Sequence, residues 1–459
     1  MTANKFDVAV LGGGGAGLAS SISAAQRDLK VVVFEKSDRC GGNTARSVGS
    51  IPGAGSRFQA ATGIEDSPEL FLADVKGQTK GKFNHEGMRR LAQISAGLVH
   101  WLVDDVGVVL KLTQDYKHVG HSVNRLHNPP SREGGELIGT LVDVAEGLGV
   151  SILTKAPVTT VSPGPDGYTV QLESGDEFSV ASVIIATDGF GADHQMMVDR
   201  CARFADLKYF GAPGNTGDGI RIGQSVGGTV DSMDSVLGYA IMGMPSESES
   251  AWDTMVSWTV VENGGVIVDS EGCRFGNEEV GYSAFVDTVV NHTNEPIYAI
   301  FDERIQNSVA DHELRFKLLL ERADSPVRPL SLARDTVLPY QLPRDAARRT
   351  LDAYLRAASG ERADQFGRTE FGMAPLQGNL FVAKAEPSVL TTLGGLKVDG
   401  DARVLDTQGR PIESLYAAGG SAQTITGLSG ASGYISGAGL LAALGYGYLA
   451  GRHARGLSR

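Results

Sequence analysis

The chain has 459 residues, which is enough for two or three domains with a large buried core. Its composition, 42% hydrophobic and 21% charged residues, is that of a globular protein, and its formal net charge is -13. This acidity argues against nucleic acid and against an anionic membrane surface as partners. No apolar run approaches the roughly 20 residues that span a bilayer, so the sequence predicts no membrane span.

Cysteine usage and the N-terminal segment predict the compartment. Cys40, Cys201 and Cys273 have neither the spacing of a metal site nor the even number of a disulfide set, which fits a reducing environment. The segment MTANKFDVAVLGGGGAG runs directly into a predicted strand and shows no separate apolar core followed by a cleavage site. We therefore expect a cytoplasmic protein.

The first predicted elements are a strand, a glycine turn, a helix and a second strand. Apolar residues are continuous at 6–11 and 31–34, as in buried parallel strands, and the small residues between them predict a helix. Helical periodicity follows at 86–107 and 134–148. A strand ribbon then leads into a buried strand that ends at Thr187.

Composition changes along the chain indicate an inserted domain. Between about 236 and 365 the glycine clusters thin out and the density of charged residues rises. Strand and glycine patterns then return and end in a small-residue helix at 436–450. We therefore predict a discontinuous first domain, 1–235 and 366–459, with a capping domain inserted at 236–365.

The glycine turn after the first strand has the spacing of a dinucleotide-binding motif. Gly12, Gly14 and Gly17 form the pattern GxGxxG between a strand and a helix, and Glu35 closes the next strand. The first glycine permits a tight turn, the second lets the backbone approach a pyrophosphate, and the third packs helix against strand. The carboxylate of Glu35 is placed to accept hydrogen bonds from ribose hydroxyls.

The residues that follow favour FAD over NAD. The segment EKSDRCGGNTARSVGSIPG supplies amide N–H groups and hydroxyls along an extended flavin nucleotide. The segments IIATDG and LYAAGGSAQ add two further glycine turns, and each of these turns taken alone is also typical of an ordinary structural turn. Their order along one chain predicts a single extended cofactor.

With these motifs the chain resembles the fumarate reductase and succinate dehydrogenase flavoprotein superfamily over essentially its whole length. The matching segments are GGGGAG, EKSDRCGGNTARS, NTGDGIRIGQSVGG, GGVIVDSEGCRFGNEE and TTLGGLKVDGDARVLDTQGRPIESLYAAGG. The resemblance implies an α/β fold: a Rossmann-type, glutathione-reductase-like FAD-binding domain with an inserted, mobile α+β capping domain.

The resemblance also implies which residues bind the cofactor. Succinate dehydrogenase types attach flavin to a histidine near the Gly-Gly turn, and GGNTARS contains none, so we expect noncovalent FAD. The residues expected to contact FAD are Gly12, Gly14, Gly15, Ala16, Gly17, Glu35, Lys36, Gly42, Asn43, Thr44, Ser47, Val158, Thr187, Asp218, Gly420, Ile435 and Ser436.

Three positions depart from the dicarboxylate enzymes of that superfamily. Those enzymes hold an arginine proton donor at the position of Tyr282, a histidine before the late Gly-Gly pair, and an arginine in the C-terminal glycine motif. This chain has Tyr282 after RFGNEE, Thr391 and Thr392 before Gly-Gly, and GLSGASGYISGAG without a basic residue. The pattern is similar to that of the 3-ketosteroid Δ1-dehydrogenase branch and implies a substrate that is neutral at its reacting end.

That resemblance implies a tyrosine base. Removing hydrogen next to a ketone needs a base, a group that polarises the carbonyl and a hydride acceptor. Tyr282 is the expected base, Tyr116 the expected assisting tyrosine, and flavin N5 the hydride acceptor. Because a phenol has an unperturbed pKa of about 10, a second hydroxyl or a nearby cation must stabilise the phenolate.

The group that polarises the ketone is left open between two alternatives. Steroid enzymes place a further tyrosine and a glycine N–H in the C-terminal motif, and the nearest match here is Gly430 with Tyr434 four residues later. Either Tyr434 takes this role, or the backbone N–H groups of 430–434, including that of Gly433, take it alone. The chain is short for a steroid enzyme, which favours a smaller cyclic ketone such as a 4-oxocyclohexane derivative.

The loop HVGHSVNRLHNPPSREGG contains three histidines without the clustered acids or cysteines of a metal site, so we expect no metal. His118, His121 and His127 are loosely spaced. Arg125 and His127 are instead expected to line the substrate entrance, and Thr392 is the third expected substrate contact.

The leading prediction is an FAD-dependent dehydrogenase that desaturates the α,β C–C bond next to a ketone in a 3-ketosteroid or a 4-oxocyclohexane derivative. The alternatives are a fumarate-reductase-like reductase of an activated C=C bond and a flavin-binding protein without turnover. No haem CxxCH and no iron–sulfur cysteine set is present in the sequence. The expected electron acceptor is therefore external: oxygen, a quinone or another carrier.

Overall fold

The protein is described by a computed structural model that covers residues 4–114, 118–243, 255–334 and 336–457. The chain forms two compact units. The first comprises the described residues of Met1–Ala205, Gly211–Leu237 and Thr391–Arg459, and the second those of Asp206–Phe210 and Gly238–Leu390. Among the described residues, no helix is both long and apolar enough to cross a membrane.

The second unit ends later in the chain than the predicted insert. It runs to Leu390, whereas the composition change predicted a boundary at 365. The physical reason is a long strand, Leu380–Thr392, which pairs with two strands of the second unit before the chain returns to the first. Lys208–Tyr209 also pairs with this strand, so a short earlier segment joins the second unit.

The strands are numbered in chain order. They are β1 Asn4–Leu11, β2 Val31–Phe34, β3 Ile51–Pro52, β4 Lys111–Leu112, β5 Leu126–Asn128, β6 Ser151–Leu153, β7 Val158–Gly164, β8 Gly167–Leu172, β9 Glu177–Ile185, β10 Lys208–Tyr209, β11 Val230–Asp231, β12 Val236–Gly243, β13 Val266–Val268, β14 Ile297–Asp302, β15 Val327–Leu330, β16 Leu380–Thr392, β17 Gly395–Leu396, β18 Arg403–Leu405 and β19 Pro411–Ala417.

The helices are numbered likewise. They are α1 Gly15–Ala25, α2 Gly42–Arg46, α3 Arg57–Ala60, α4 Pro68–Gln78, α5 His85–Asp104, α6 Gly134–Gly147, α7 His194–Cys201, α8 Asp218–Ser225, α9 Thr259–Glu262, α10 Ala284–His292, α11 Glu303–His312, α12 Leu314–Glu321, α13 Arg344–Ala358 and α14 Ala438–His453. Short 3₁₀ helices occupy Ala202–Phe204, Glu278–Val280, Pro339–Gln341 and Gly419–Ser421.

The first unit is built on a sheet in the order β18-β19-β9-β1-β2-β6, with the β7–β8 hairpin joined to β9. The strands from β19 to β6 run parallel, and β18 is antiparallel. The central strand β1 is buried from Asp7 to Leu11, because parallel strands are covered on both faces. The carboxyl ends of β2, β1, β9 and β19 therefore lie along one edge of the sheet.

Small residues let α1 and α14 pack closely beside this sheet. A Cβ atom at Gly447 would overlap the carbonyl oxygen of Ala16, and one at Gly451 would overlap that of Ser20. The small-residue composition of both helices is thus explained by backbone approach. This packing fixes the start of α1, which follows the glycine turn.

The second unit contains a sheet in the order β10-β16-β14-β13, with β12 and β15 also paired to β16. Its central strand β14 is buried throughout and pairs antiparallel with both β13 and β16. The amphipathic helix α13 buries Ala347, Leu351, Tyr354 and Ala357, which recur at helical spacing. The charged residues of this helix therefore form its solvent face.

Candidate active site

The glycine turn between β1 and α1 is shaped by close backbone contacts. Gly12 has φ +105°, and a Cβ atom there would overlap the carbonyl oxygen of Ala186. A Cβ atom at Gly17 would overlap the carbonyl oxygen of Gly12. Both glycines are therefore required by the turn and the helix packing themselves.

Two other glycines face open space instead of protein. A Cβ atom at Gly14 would meet only the carbonyl oxygen of Gly41, at 3.8 Å, and one at Gly42 would meet only the Cα of Gly14, at 3.9 Å. The missing side chains of Gly14 and Gly42 thus leave a shallow cradle between two backbone segments. A pyrophosphate needs such a close approach to backbone.

The first turn of α1 adds positive electrostatic potential to this cradle. Its N-cap is Gly14, no side chain caps the helix, and no acidic residue lies in the first turn. The amide N–H groups and the helix dipole at this end therefore favour an anionic ligand. The Gly15 N–H is 3.3 Å from the Thr44 hydroxyl, which ties the turn to the start of α2.

Glu35 follows β2 and is fixed by two backbone amides. Its Oε2 accepts the N–H of Gly13 at 2.8 Å, and its Oε1 accepts the N–H of Ser37 at 2.7 Å. The carboxylate therefore lies beside the glycine turn, where a ribose hydroxyl would need an acceptor. Lys36 forms an ion pair with Asp218 at 2.6 Å and donates to Thr216 at 2.7 Å.

Asn43 has an unsatisfied donor. Its Oδ1 accepts the N–H of Ala212 at 2.6 Å, whereas its buried Nδ2 has no hydrogen-bond partner of good geometry in the described part of the chain. Burial raises the pKa of the nearby Asp188 carboxyl, and the Asn43 side chain lies close enough to oppose this effect in part. A buried amide donor of this kind is normally matched by an acceptor.

Two other predicted cofactor residues, Thr187 and Gly420, follow β9 and β19 at the same edge of the sheet. Thr187 accepts the N–H of Gly219 at 3.1 Å and exchanges a hydrogen bond with Ser421, next to Gly420. Ser47 donates to the carbonyl of Thr44 at 2.8 Å. The further members of the predicted set are Val158 at the start of β7, and Ile435 and Ser436 just before α14.

These features fit FAD. The glycine cradle leaves room for a pyrophosphate, the Glu35 carboxylate could accept hydrogen bonds from a ribose, and the Asn43 amide could donate to a further cofactor atom. Noncovalent attachment stays a prediction, which rests on the absence of a histidine from Gly42–Arg46.

In the second unit, the motif before Tyr282 is held by a buried ion pair. Arg274 donates to Glu278 through Nε at 3.0 Å and through Nη2 at 2.6 Å, and it also pairs with Asp364. The neighbouring Arg368 has Nη1 3.6 Å from Glu278. The arginine and the glutamate of RFGNEE are therefore structural, and they fix the turn that leads to Tyr282.

Tyr282 is half-buried just before α10. Its carbonyl accepts the N–H of Ala240 at 3.1 Å, and its ring centroid lies 5.5 Å from that of Tyr239. Gly281, with φ +93°, precedes it and supplies a backbone conformation that a side chain would strain. Tyr282 therefore has a rigidly anchored backbone. Tyr116, its expected partner, lies outside the described residues.

Hydrogen bonds within the C-terminal glycine motif and to Asp234 hold the motif in place. The hydroxyl oxygen of Tyr434 accepts the N–H of Gly439 at 3.1 Å, and burial raises the pKa of this tyrosine. The Gly430 N–H donates to the carbonyl of Asp234 at 3.2 Å. Gly433 has φ +80°.

Arg125 and His127 lie in the interior of the first unit. Arg125 is fully buried, and its guanidinium pairs with Asp66 at 2.9 Å and with Asp74 at 2.6 Å. His127 is also fully buried and shares a hydrogen bond of 2.9 Å with Ser56. The expectation that these two residues line a substrate entrance finds no support in this geometry, because two carboxylates and a hydroxyl occupy their polar groups.

Of the other two histidines of that loop, His121 is buried and His118 is half-buried. Burial lowers the pKa of His118 to about 3 and that of His121 to about 4. His121 contacts the carbonyl of Ser436 at 2.9 Å and the guanidinium of Arg125 at 3.0 Å. No group of three potential metal ligands occurs among the residues that the structure describes.

Of the two threonines before the late Gly-Gly pair, only one has its hydroxyl in a polar cluster. The Thr392 hydroxyl accepts the N–H of Phe190 at 2.9 Å and is fully buried, so it supports the backbone. The Thr391 hydroxyl lies 3.4 Å from Oδ1 of Asp188. The predicted substrate contact Thr392 is thus turned into the interior, and its neighbour Thr391 is the half-exposed one.

Sequence reasoning assigned no role to Asp188. This residue follows β9, has φ +65°, and accepts hydrogen bonds from Gly189 and Asn215. The available signal was an acidic residue directly before a glycine at the end of a buried strand. Its location beside Gly420 became evident only from the structure.

Two named proteins resemble this chain along nearly its whole length. The NADH:fumarate oxidoreductase of Klebsiella pneumoniae (strain 342) is 30% identical over 461 residues, which cover 98% of this chain and 48% of that protein. The fumarate reductase of Schizosaccharomyces pombe is 28% identical over 476 residues, which cover 99% of this chain and 90% of that protein. The chain thus spans about half the length of the Klebsiella relative.

Two solved structures share the fold. A flavocytochrome c3 fumarate reductase in an open conformation matches with a TM-score of 0.78 at 24% identity, covering 98% of this chain and 78% of that one. The 3-ketosteroid-Δ4-(5α)-dehydrogenase of Rhodococcus jostii RHA1, solved with 4-androstene-3,17-dione, matches with a TM-score of 0.76 at 23% identity, covering 98% and 97%. At these identities the likeness confirms the predicted α/β fold and no more.

The family described as FAD binding domain matches residues 7–439, which is most of the chain. This match includes the glycine cradle, Glu35 and the returning C-terminal segment, and it confirms FAD as the cofactor. The chain therefore belongs to the FAD binding domain family, within the superfamily of fumarate reductase and succinate dehydrogenase flavoproteins, whose members are FAD-dependent oxidoreductases.

Proposed function

We propose that the protein is an FAD-dependent dehydrogenase that desaturates the α,β C–C bond next to a ketone. The observation that carries this proposal is Tyr282, on a turn anchored by the buried Arg274–Glu278 pair. Its position is the one at which dicarboxylate enzymes of the superfamily hold an arginine. A phenolate can serve as a base towards a carbon acid, whereas a guanidinium, which stays protonated, cannot.

The proposed roles follow from the chemistry of each group. Bound FAD supplies a hydride acceptor at N5 for the hydrogen on the β carbon. Tyr282 is proposed to act as the phenolate, which the Tyr116 hydroxyl would stabilise. Its oxygen takes the proton from the α carbon, and the side chain becomes a neutral phenol. Tyr434 or the backbone N–H groups of 430–434 donate to the ketone oxygen, which lowers the cost of removing the α proton.

The proposed substrate is a cyclic ketone without a carboxylate at its reacting end. By resemblance, dicarboxylate enzymes hold cationic side chains at three places. This chain has Tyr282 at the first, Thr391 and Thr392 at the second and a C-terminal glycine motif without a basic residue at the third, so no positive charge there would pair with a carboxylate. The Rhodococcus dehydrogenase of the same fold, named for 3-ketosteroids, supports a ketone. A 3-ketosteroid and a smaller 4-oxocyclohexane derivative are both within this class.

The second candidate function is reduction of an activated C=C bond, as in fumarate reductases. The names of the Klebsiella and Schizosaccharomyces relatives favour it, because they are the more similar in sequence. The three departures from the cationic pattern count against fumarate itself as substrate. A flavoprotein without turnover is the third candidate. The proposed electron acceptor is a separate molecule, and a cytoplasmic location stays a prediction.

One anaerobic experiment separates these candidates. The purified flavoprotein is mixed without oxygen with 3-ketosteroids, with 4-oxocyclohexane derivatives and, as a control, with succinate. We expect loss of the visible flavin absorbance with a cyclic ketone and none with succinate. Reoxidation of the chemically reduced protein by fumarate, with no response to ketones, would establish the reductase instead. No change with any compound would support the non-catalytic candidate.

A further inference from the structure

Asp188 occupies a backbone conformation that side chains avoid. It lies just beyond the end of β9 and has φ +65°. The glycine that follows it, Gly189, does not take this conformation in its place. An aspartate tolerates this region better than most residues but still less well than glycine. Strained non-glycine residues of this kind are concentrated at functional sites, where the surrounding structure holds them in the strained conformation.

The carboxyl group of Asp188 is surrounded by neutral donors. Oδ1 accepts the N–H of Gly189 at 2.8 Å and faces the Thr391 hydroxyl at 3.4 Å, and Oδ2 accepts the amide of Asn215 at 3.1 Å. No ion pair to Asp188 occurs within the described ranges. Burial accordingly raises the pKa of this carboxyl. The group is thus built into a polar cluster that has no cation.

Gly420 shows where this carboxyl group lies. A Cβ atom at Gly420 would overlap Oδ1 of Asp188, and its next neighbour would be the Gly189 nitrogen at 2.9 Å. The φ of Gly420 is outside the left-handed region, so the carboxyl itself is what excludes a side chain there. The Asp188 carboxyl therefore fills the space between the ends of β9 and β19.

The order of strand ends relates this space to the parts of the cofactor. Along the sheet, Glu35 follows β2, the glycine cradle follows β1, Asp188 follows β9 and Gly420 follows β19. Ligands of open parallel sheets lie outside the carboxyl ends of the strands. If the ribose lies at β2 and the pyrophosphate at β1, the portion next to β9 is the ribityl chain, an uncharged polyol.

The Asn43 amide is poorly matched by the Asp188 carboxyl, which indicates a ligand acceptor at the same place. Its buried Nδ2 has no hydrogen-bond partner of good geometry among the described residues, yet it lies close enough to Asp188 to affect that carboxyl. An acceptor close to this pair would satisfy the donor. A hydroxyl group can accept from an amide and donate to a carboxylate at once, which no carbonyl or amide N–H can do.

We propose that Asp188 is a binding residue for the ribityl chain of FAD, with its carboxylate accepting a hydrogen bond from one ribityl hydroxyl beside the Asn43 amide. The inference rests on FAD binding and is independent of the substrate. Because Asp188 adjoins Thr391, the competing role is contact with the substrate, and the test includes it as an outcome.

The test measures ligand affinities of the apoprotein. The variant Asp188→Gly removes the carboxylate and relieves the strained φ, and Ser232→Gly is the matched control, because Ser232 has φ +55° elsewhere in the same unit. Each apoprotein is titrated with FAD and with ADP, which lacks the ribityl chain. We expect Asp188→Gly to weaken FAD about 10- to 100-fold, as for loss of a charge-assisted hydrogen bond, and to leave ADP unchanged.

FAD analogues that lack single ribityl hydroxyls identify the contact. One deoxy analogue should bind more weakly than FAD to the wild-type and Ser232→Gly apoproteins. The same analogue and FAD should bind the Asp188→Gly apoprotein with equal affinity. Equal FAD affinity in Asp188→Gly and wild type would overturn the proposal. The proposal would also be overturned if every deoxy analogue lost the same factor in affinity for wild type and for Asp188→Gly. Unchanged FAD affinity together with altered substrate affinity in Asp188→Gly would likewise overturn it, and would indicate that Asp188 contacts the substrate.

A second pair of variants guards against misfolding. Asp188→Asn keeps the shape and should give the same split between FAD and ADP. The double variant Asp188→Gly/Gly420→Asp returns a carboxylate to the same space from the end of β19, and should recover part of the FAD affinity. Loss of both FAD and ADP in Asp188→Asn would show a general effect on folding and would contradict a ribityl-specific role.

Discussion

Arg274 and Glu278 form a two-hydrogen-bond ion pair in which both side chains are at most 2% exposed. The pair closes the turn from which Tyr282 emerges. Removing one member of a buried pair leaves the other charge uncompensated, which is far more costly than losing an exposed pair. We expect Glu278→Gln to destabilise the second unit by about 3 kcal/mol.

This loss is measurable by denaturant or thermal unfolding. Glu271→Gln is the control, because Glu271 is exposed in the same unit and close in sequence. A Glu278→Gln protein that melts together with the Glu271→Gln control would show that Asp364 by itself compensates the charge of Arg274.

Tyr282→Phe tests the proposed base. The change keeps the ring that packs 5.5 Å from Tyr239 and removes only the hydroxyl. Loss of a general base typically costs about 10²- to 10⁴-fold in rate, so flavin reduction by a ketone substrate should nearly stop. FAD content and melting temperature should barely change. Turnover within a few-fold of wild type would exclude Tyr282 as the base.

Tyr239→Phe is the matched control for that experiment. The Tyr239 hydroxyl is buried and bonded to Val256 and Trp258, at 2.8 and 2.7 Å. Its removal should lower stability, because a backbone carbonyl and an amide lose their partner. It should affect the reduction rate much less than Tyr282→Phe does.

The flavin should be released by acid. The segment Gly42–Arg46 offers no histidine for covalent attachment, and the contacts predicted for FAD are hydrogen bonds and backbone approach. Acid precipitation followed by centrifugation should leave all yellow colour in the supernatant. Colour that stays with the washed pellet would mean a covalent bond.

Glu262 predicts a pH dependence of stability in the second unit. Burial, together with repulsion from Glu313, raises the pKa of Glu262 to about 8. Its unfolded value is about 4.3, so between these two values the folded protein binds more protons than the unfolded chain. Stability therefore falls as the pH rises through this window.

Glu262→Gln should remove part of that dependence. The variant should lose fewer degrees of melting temperature than wild type between pH 5 and 9, which we expect to amount to a few degrees. Glu321→Gln, an exposed position of the same unit, serves as control. Identical pH profiles for wild type and Glu262→Gln would show that Glu262 is not buried in its charged form.

Much of the first unit could be predicted from local patterns. The strands expected at 6–11 and 31–34 lie in β1 and β2, and the helices expected at 86–107 and 134–148 correspond to α5 and α6. The reason is that strand and helix periodicity and the glycine spacing are properties of neighbouring residues. The match to the FAD-binding family confirmed the cofactor that these patterns predicted.

The tertiary structure decided which polar residues face a ligand and which face the interior. Arg125 and His127 have the side chains of a binding site, but Asp66, Asp74 and Ser56 occupy their polar groups. Such pairings join residues far apart in sequence, and no local pattern encodes them.

Local sequence patterns also could not predict where the second unit ends or where the Asp188 carboxyl lies. The boundary moved to Leu390 because β16 pairs with strands that precede it by 50 residues or more. Asp188 and Gly420 lie more than 200 residues apart in sequence, yet the Asp188 carboxyl occupies the place where a side chain at position 420 would lie. A sequence states which side chains exist. The space available to each side chain is fixed only in the folded protein, because parallel strands then bring distant parts of the backbone together at one edge of the sheet.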